Sequence, residues 1–106
     1  MTMITIDSRE KFDEAIQQNA RTLVEFGAVW CVPCQRLEIT LDNVMSVLKD
    51  QIHLVKVDVD VLPDLAMSFQ VMSVPTLILF SDGAPVERLT GLQPQDKILA
   101  KIELHL

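Results

Sequence analysis

The chain has 106 residues, 49% of them hydrophobic and 23% charged, with a net charge of −6. That length holds one domain with a single core, expected to span residues 1–106, and excludes two. The acidic balance argues against a nucleic-acid surface, which needs a basic patch, and no basic run suits anionic lipid.

Met3 to Ile6 predicts a short strand. Asp7-Ser8-Arg9-Glu10 reads as a capping box, with Asp7 as the cap and Glu10 reaching back. The helix behind it buries Phe12, Ala15 and Ile16 at helical spacing. Leu23 to Phe26 forms a second strand, apolar at most positions and therefore central. From Cys34 a long helix follows, with Leu37, Leu41, Val44 and Leu48 on one face. Ile52 to Asp58 gives a third strand, and Pro63 opens a short helix through Leu65, Ala66 and Phe69. Pro75 precedes the apolar run Thr76 to Phe80; Ser81-Asp82-Gly83 turns the chain, and Pro85 to Leu89 returns as a hairpin strand that Gly91 breaks. Gln95 to Leu104 closes the chain as a helix with Ile98, Leu99 and Ile102 on one face. The order β-α-β-α-β-α-β-β-α is that of an α/β protein. Its parallel sheet is covered by helices on both faces, and the hairpin adds an antiparallel edge. Met1 to Glu14 has no apolar core of a signal peptide, and the stretch holding Val74 to Phe80 is too short to span a bilayer. The expectation is a cytoplasmic protein with no membrane association.

The most informative motif is Trp30-Cys31-Val32-Pro33-Cys34, which holds the only two cysteines. A C-x-x-C pair can close a disulfide ring or supply two metal ligands. Zinc normally takes four ligands, and only His53 and His105 remain, so one chain offers a poor set and no metal is expected. Cys31 should sit where a strand ends and a helix begins, at the exposed mouth of the helix N-terminus. Unsatisfied N–H groups and the helix dipole there stabilise a thiolate, the nucleophile of thiol–disulfide exchange. Cys34, one turn in, can reach a mixed disulfide and resolve it. Pro33 starts the helix and restricts the ring. Trp30 is expected to be partly exposed and to shape a docking surface, and Val32 adds apolar area to it.

The chain resembles the thioredoxin family over nearly its whole length. The resemblance rests on Val24-Glu25-Phe26 leading to Trp30–Cys34, on Val55-Lys56-Val57-Asp58-Val59-Asp60, on Val74-Pro75-Thr76, on the Phe80…Gly83 turn and on Gly91, all in family order. It implies the thioredoxin fold, a central mixed sheet flanked by helices. It also implies a protein-disulfide reductase acting through Cys31 and Cys34 without a bound cofactor. Partners would be disulfide-containing proteins and a thioredoxin reductase or other electron donor, with the chain a monomer. Pro75 matches the family's cis-proline facing the cysteines, so that extended Val74 can present its backbone to a substrate peptide as one more strand; Gly91 belongs with this docking set. Glu25 stands where the family has a buried Asp that shuttles a proton for the inner cysteine, and Lys56 matches a lysine near that acid. A buried carboxylate needs such a partner or it takes up a proton, so a mere Glu–Lys pair is the structural alternative. The departures are Val32 for Gly, Gly27 for Trp, Ile39 for Pro, Gln35 for Lys and Phe69 for Tyr. They alter the docking surface and leave recognition by a standard reductase open; Val32 is expected to make the protein a weaker reductant. The rival readings are an oxidant or isomerase using the same cysteines, and a binding module in which they are incidental.

Overall fold

A computed structural model describes residues 3–106. In chain order the elements are β1 (Ile4–Ile6), α1 (Arg9–Gln18), β2 (Arg21–Gly27), α2 (Val32–Leu48), a 3₁₀ turn (Lys49–Gln51), β3 (His53–Asp58), α3 (Pro63–Ser68), β4 (Thr76–Ser81), β5 (Ala84–Thr90) and α4 (Gln95–Glu103). This is the expected order, with boundaries shifted by a residue or two.

Two starts differ in an instructive way. The cap of α1 is Ser8, whose Oγ accepts from the Lys11 N–H at 3.1 Å. Asp and Ser cap about equally well; with β1 ending at Ile6, Asp7 stays outside the helix and pairs with Lys11 at 3.0 Å instead. The capping box through Glu10 is therefore not formed. The long helix α2 begins at Val32 rather than Cys34, because the Cys31 side chain itself caps it and Pro33 falls in the first turn, where no N–H is missed.

The five strands lie in the order β1-β3-β2-β4-β5. β1 and β2 pair with β3 in parallel, and β4 runs antiparallel to both β2 and β5. The reversed strand is thus β4, inside the sheet, and the edge strand β5 points the same way as the parallel set. Central β2 is buried along Thr22–Gly27, as its apolar run requires.

Alternation along each strand separates two cores. Leu23, Leu54, Leu77 and Leu79 face α2 and α4, packing on Leu37, Leu41, Val44, Ile98 and Ile102. Val24, Phe26, Val55, Val57, Ile78 and Phe80 face α1 and α3, packing on Phe12, Ile16, Leu65 and Ala66. Phe69 lies just past α3, and its ring sits 5.5 Å from Phe12 and 5.3 Å from Phe80, centroid to centroid. Each fully buried side chain of this size contributes roughly 1.5–3 kcal/mol of transfer free energy. The two cores hold the carboxyl end of β2 rigid, and the motif hangs from that end.

Candidate active site

Beyond Gly27 the chain crosses Ala28, Val29 and Trp30 and turns into α2. The Cys31 N–H donates to the Ala28 carbonyl, and the Gln35 N–H donates to the Cys31 carbonyl, each at 3.2 Å. Cys31 and Cys34 are joined as a disulfide with their Cα atoms 5.2 Å apart. The Cys34 N–H points at the Cys31 sulfur, 3.1 Å away. One expectation needs correction here. Cys31 is only 3% exposed and Cys34 fully buried, so neither sulfur stands at an open mouth. Ala28, Val59 and Val74 pack around the pair and cover it. What projects is the flanking apolar rim: Trp30, 66% exposed, with Val32 and Pro33.

Beneath the ring, alternation along β2 puts Leu23, Glu25 and Gly27 on the α2 side. Glu25 is 0% exposed, and neither of its carboxylate oxygens has a hydrogen-bond partner among the described residues. Burial pushes its pKa from 4.5 up to about 8; the nearby Glu38 carboxylate adds to the rise, and the Lys56 cation opposes it. Lys56 stands in register opposite Glu25 on β3. Its ammonium nevertheless donates to Glu38 Oε2 at 2.8 Å. Lys56 therefore lies near the acid, but the alternative of a hydrogen-bonded Glu25–Lys56 pair is not made: Lys56 turns to the half-solvated margin between β3 and α2, where Glu38 meets it. Burial lowers the Lys56 pKa, but the bond to Glu38 and the charges of Glu25, Glu38 and Asp58 outweigh that and raise it. Gly27 connects the acid to the cysteines. A Cβ at Gly27 would stand 3.2 Å from Cys34 Sγ and 3.5 Å from Glu25 Oε2. The missing side chain lets the carboxyl group and the inner sulfur flank one position.

The third part is the segment before β4. The Val74–Pro75 peptide is cis, in line with the resemblance. The buried Pro75 carbonyl accepts from the Gly91 N–H at 2.8 Å, and Gly91, at φ +82°, adopts a conformation suited to glycine. Gly91 thus tethers Pro75 through the backbone while remaining half-buried, with open space on its Cβ side. Val74 makes no backbone hydrogen bond among the described residues. Beside it runs a groove of about 220 Å³ lined by Trp30, Val59, Val71, Met72, Ser73 and Val74. The Trp30 indole N–H donates to Asp60 Oδ2 at 2.7 Å, and the Asp60 N–H donates to Asp58 Oδ1 at 2.8 Å.

The sequence assigned no role to Glu38, and Val59 and Asp60 entered only within the run that carries the resemblance. Glu38 had a usable signal, since it lies one helical turn past Cys34 and so on the same face of α2. Asp60 lies two residues past the end of β3, where an acid reads as an ordinary exposed loop residue.

A parallel-edged mixed sheet with a cysteine ring capping a helix beside a cis-proline defines a dithiol–disulfide oxidoreductase. The thioredoxin family profile matches residues 3–104. Thioredoxin of Staphylococcus saprophyticus is 41% identical over 95 residues, covering 90% of each chain, and that of Staphylococcus aureus is 36% identical over the same span. Among solved structures, a point mutant of thioredoxin from Halobacterium salinarum matches with a TM-score of 0.88 at 34% identity, covering 96% of this chain and 88% of that one. Plasmodium falciparum thioredoxin matches with a TM-score of 0.88 at 27% identity, covering 98% and 100%. The chain belongs to the thioredoxin family, and its Cys31/Cys34 dithiol makes it a protein-disulfide reductase.

Proposed function

We propose that Cys31 is the attacking thiol and Cys34 the resolving thiol, with Glu25 as the proton acceptor for Cys34. The observation that carries the assignment is the Cys34 N–H aimed at the Cys31 sulfur, a donor that stabilises a thiolate on Cys31 and none on Cys34. The Cys31 thiolate attacks one sulfur of a substrate disulfide, forming a mixed disulfide and expelling the first substrate thiolate. Cys34 then gives up its proton and attacks Cys31 Sγ, which closes the ring and expels the second substrate thiolate. Two electrons pass from the dithiol to the substrate. A carboxyl group held near 8 takes up and releases a proton close to neutral pH, as a general base for this step must. Lys56 would tune that acid from the margin.

Substrate would dock on Trp30, Val32, Pro33 and the free backbone of Val74, adding a short strand beside Pro75 while Asp60 fixes the indole. Partners on this reading are disulfide-bearing proteins and a thioredoxin reductase or other electron donor. The protein would work as a cytoplasmic monomer. No helix among the described residues is long and apolar enough to cross a membrane.

Brief iodoacetamide treatment of the reduced protein followed by mass spectrometry tests the assignment: label should accumulate on Cys31. Cys34→Ser should accumulate mixed disulfides with substrate. Preferential labelling of Cys34 would reverse the two roles.

A further inference from the structure

Glu25 occupies a position where its own strand neighbour offers a cation. Lys56 lies directly across from it on β3, on the same face of the sheet, and a lysine so placed would ordinarily be its counter-ion. Among the described residues, though, Glu25 has no hydrogen-bond partner, and Lys56 gives its ammonium to Glu38 at 2.8 Å. Glu38 comes from α2, one helical turn beyond Cys34. The remaining surroundings of Glu25 supply no substitute. β4 presents Leu77 across from it. α4 contributes Ile98 and Ile102 to the leucine-rich core on this side. α2 brings Cys34 as well as Glu38, and the remaining charge on β3 is Asp58, another acid.

We propose that Glu38 is a positioning residue that captures the Lys56 ammonium and so withholds from Glu25 the counter-ion its place in the sheet would give it. Glu25 is thereby kept a carboxyl group free to take up and release a proton rather than one half of a fixed ion pair. Two effects act in the same direction: Glu38 takes the ammonium's hydrogen bond, which leaves Lys56 to act on Glu25 only through its charge, and Glu38's own negative charge disfavours a second carboxylate nearby. The consequence for catalysis rests on Glu25 accepting the proton of Cys34; the equilibrium of Glu25 itself does not.

The test is a carboxyl-carbon NMR titration of Glu25 in the oxidised protein, where the cysteines do not titrate. Wild type should show an inflection near 8. In Glu38→Gln the inflection should fall by roughly one pH unit or more, as Lys56 swings to Glu25. Glu38→Ala should move it the same way. In a Lys56→Met background, whose own inflection should stand higher, adding Glu38→Gln should produce a clearly smaller fall, because no cation is then released. An unmoved inflection in Glu38→Gln overturns the proposal. So does an equal fall with and without Lys56, which would mean that Glu38 acts by its own charge alone. The pH profile of the resolving step separates this from the catalytic reading. If the NMR inflection moves while the rate profile of Cys34 attack stays put, Glu38 keeps its positioning role and Glu25 loses its part in proton transfer.

Discussion

The two faces of the sheet solve different problems. On the α1/α3 face the inward side chains are apolar apart from Thr22 and Thr76, whose hydroxyls donate to the Ala15 and Ser73 carbonyls, and the Phe12, Phe26, Phe69 and Phe80 rings meet edge to face or tilted. On the α2/α4 face an equally dry layer of leucines surrounds a carboxyl group with no hydrogen-bond partner among the described residues. The first arrangement is what packing favours. The second carries a penalty, since a buried polar group left unpaired destabilises by about 1–3 kcal/mol. The two faces share strands and lie back to back, so stability does not force an acid onto either of them. The unpaired acid lies where alternation along β2 brings it up to Gly27 and the cysteines.

That contrast can be broken from either side. Phe12 is 1% exposed and touches both Phe69 and Phe80. Phe12→Ala should destabilise the protein by about 3–5 kcal/mol in urea titrations, while disulfide reduction per folded molecule stays near wild type. A large loss of specific activity in the folded fraction would mean that the two faces are coupled.

Substitution on the other face should act through pH. The Glu25 pKa is raised from 4.5 to about 8 in the folded protein, so between those values the native state holds a proton that the unfolded chain has lost. Its contribution to stability is fully present below about 4.5, declines as pH rises through that window, and is gone above about 8. Glu25→Gln removes this dependence. The variant should gain on wild type by roughly 3 kcal/mol between pH 5 and pH 9, a figure discounted for relaxation around the charge. Urea titrations of both oxidised proteins at the two pH values measure it. Parallel stabilities across the range would show that Glu25 ionises in the native state as easily as in water.

Much of this was legible in the sequence, for definite reasons. The apolar spacings of Leu37, Leu41, Val44 and Leu48 and the run Leu77 to Phe80 report burial directly, and burial dictates the elements. Glu25 stood out because a charge on a central strand contradicts its surroundings. What escaped was whatever depends on which of two adequate partners is chosen. Asp7 and Ser8 could each cap α1, and the choice follows from where β1 ends. Lys56 could reach Glu25 or Glu38, and the choice follows from helix placement, which no single segment encodes. The cover of Val59 and Val74 over Cys31 is likewise a contact between segments distant in sequence. The reversed direction of β4 inside the sheet is invisible to a pattern that reports only alternation of strand and helix.

Val32 gives the smallest effect and the finest comparison, between the two redox forms of one helical turn. It is the first residue of α2 and exposed, at the position where the family resemblance leads one to expect Gly. Val is favoured over Gly in a helix by roughly half a kcal/mol, and if only the reduced form gained this, the potential would rise by about 10 mV. The turn is already helical with the disulfide closed, however, and Cys31 already caps it. The preference therefore acts on both forms and largely cancels. Val32→Gly should lower the stability of oxidised and reduced protein alike by roughly half a kcal/mol. Its potential in a glutathione equilibrium should stay within about 10 mV of wild type. A larger displacement would show that the first turn of α2 is rebuilt when the ring opens, and that Val32, rather than the buried acid below it, sets the reducing power.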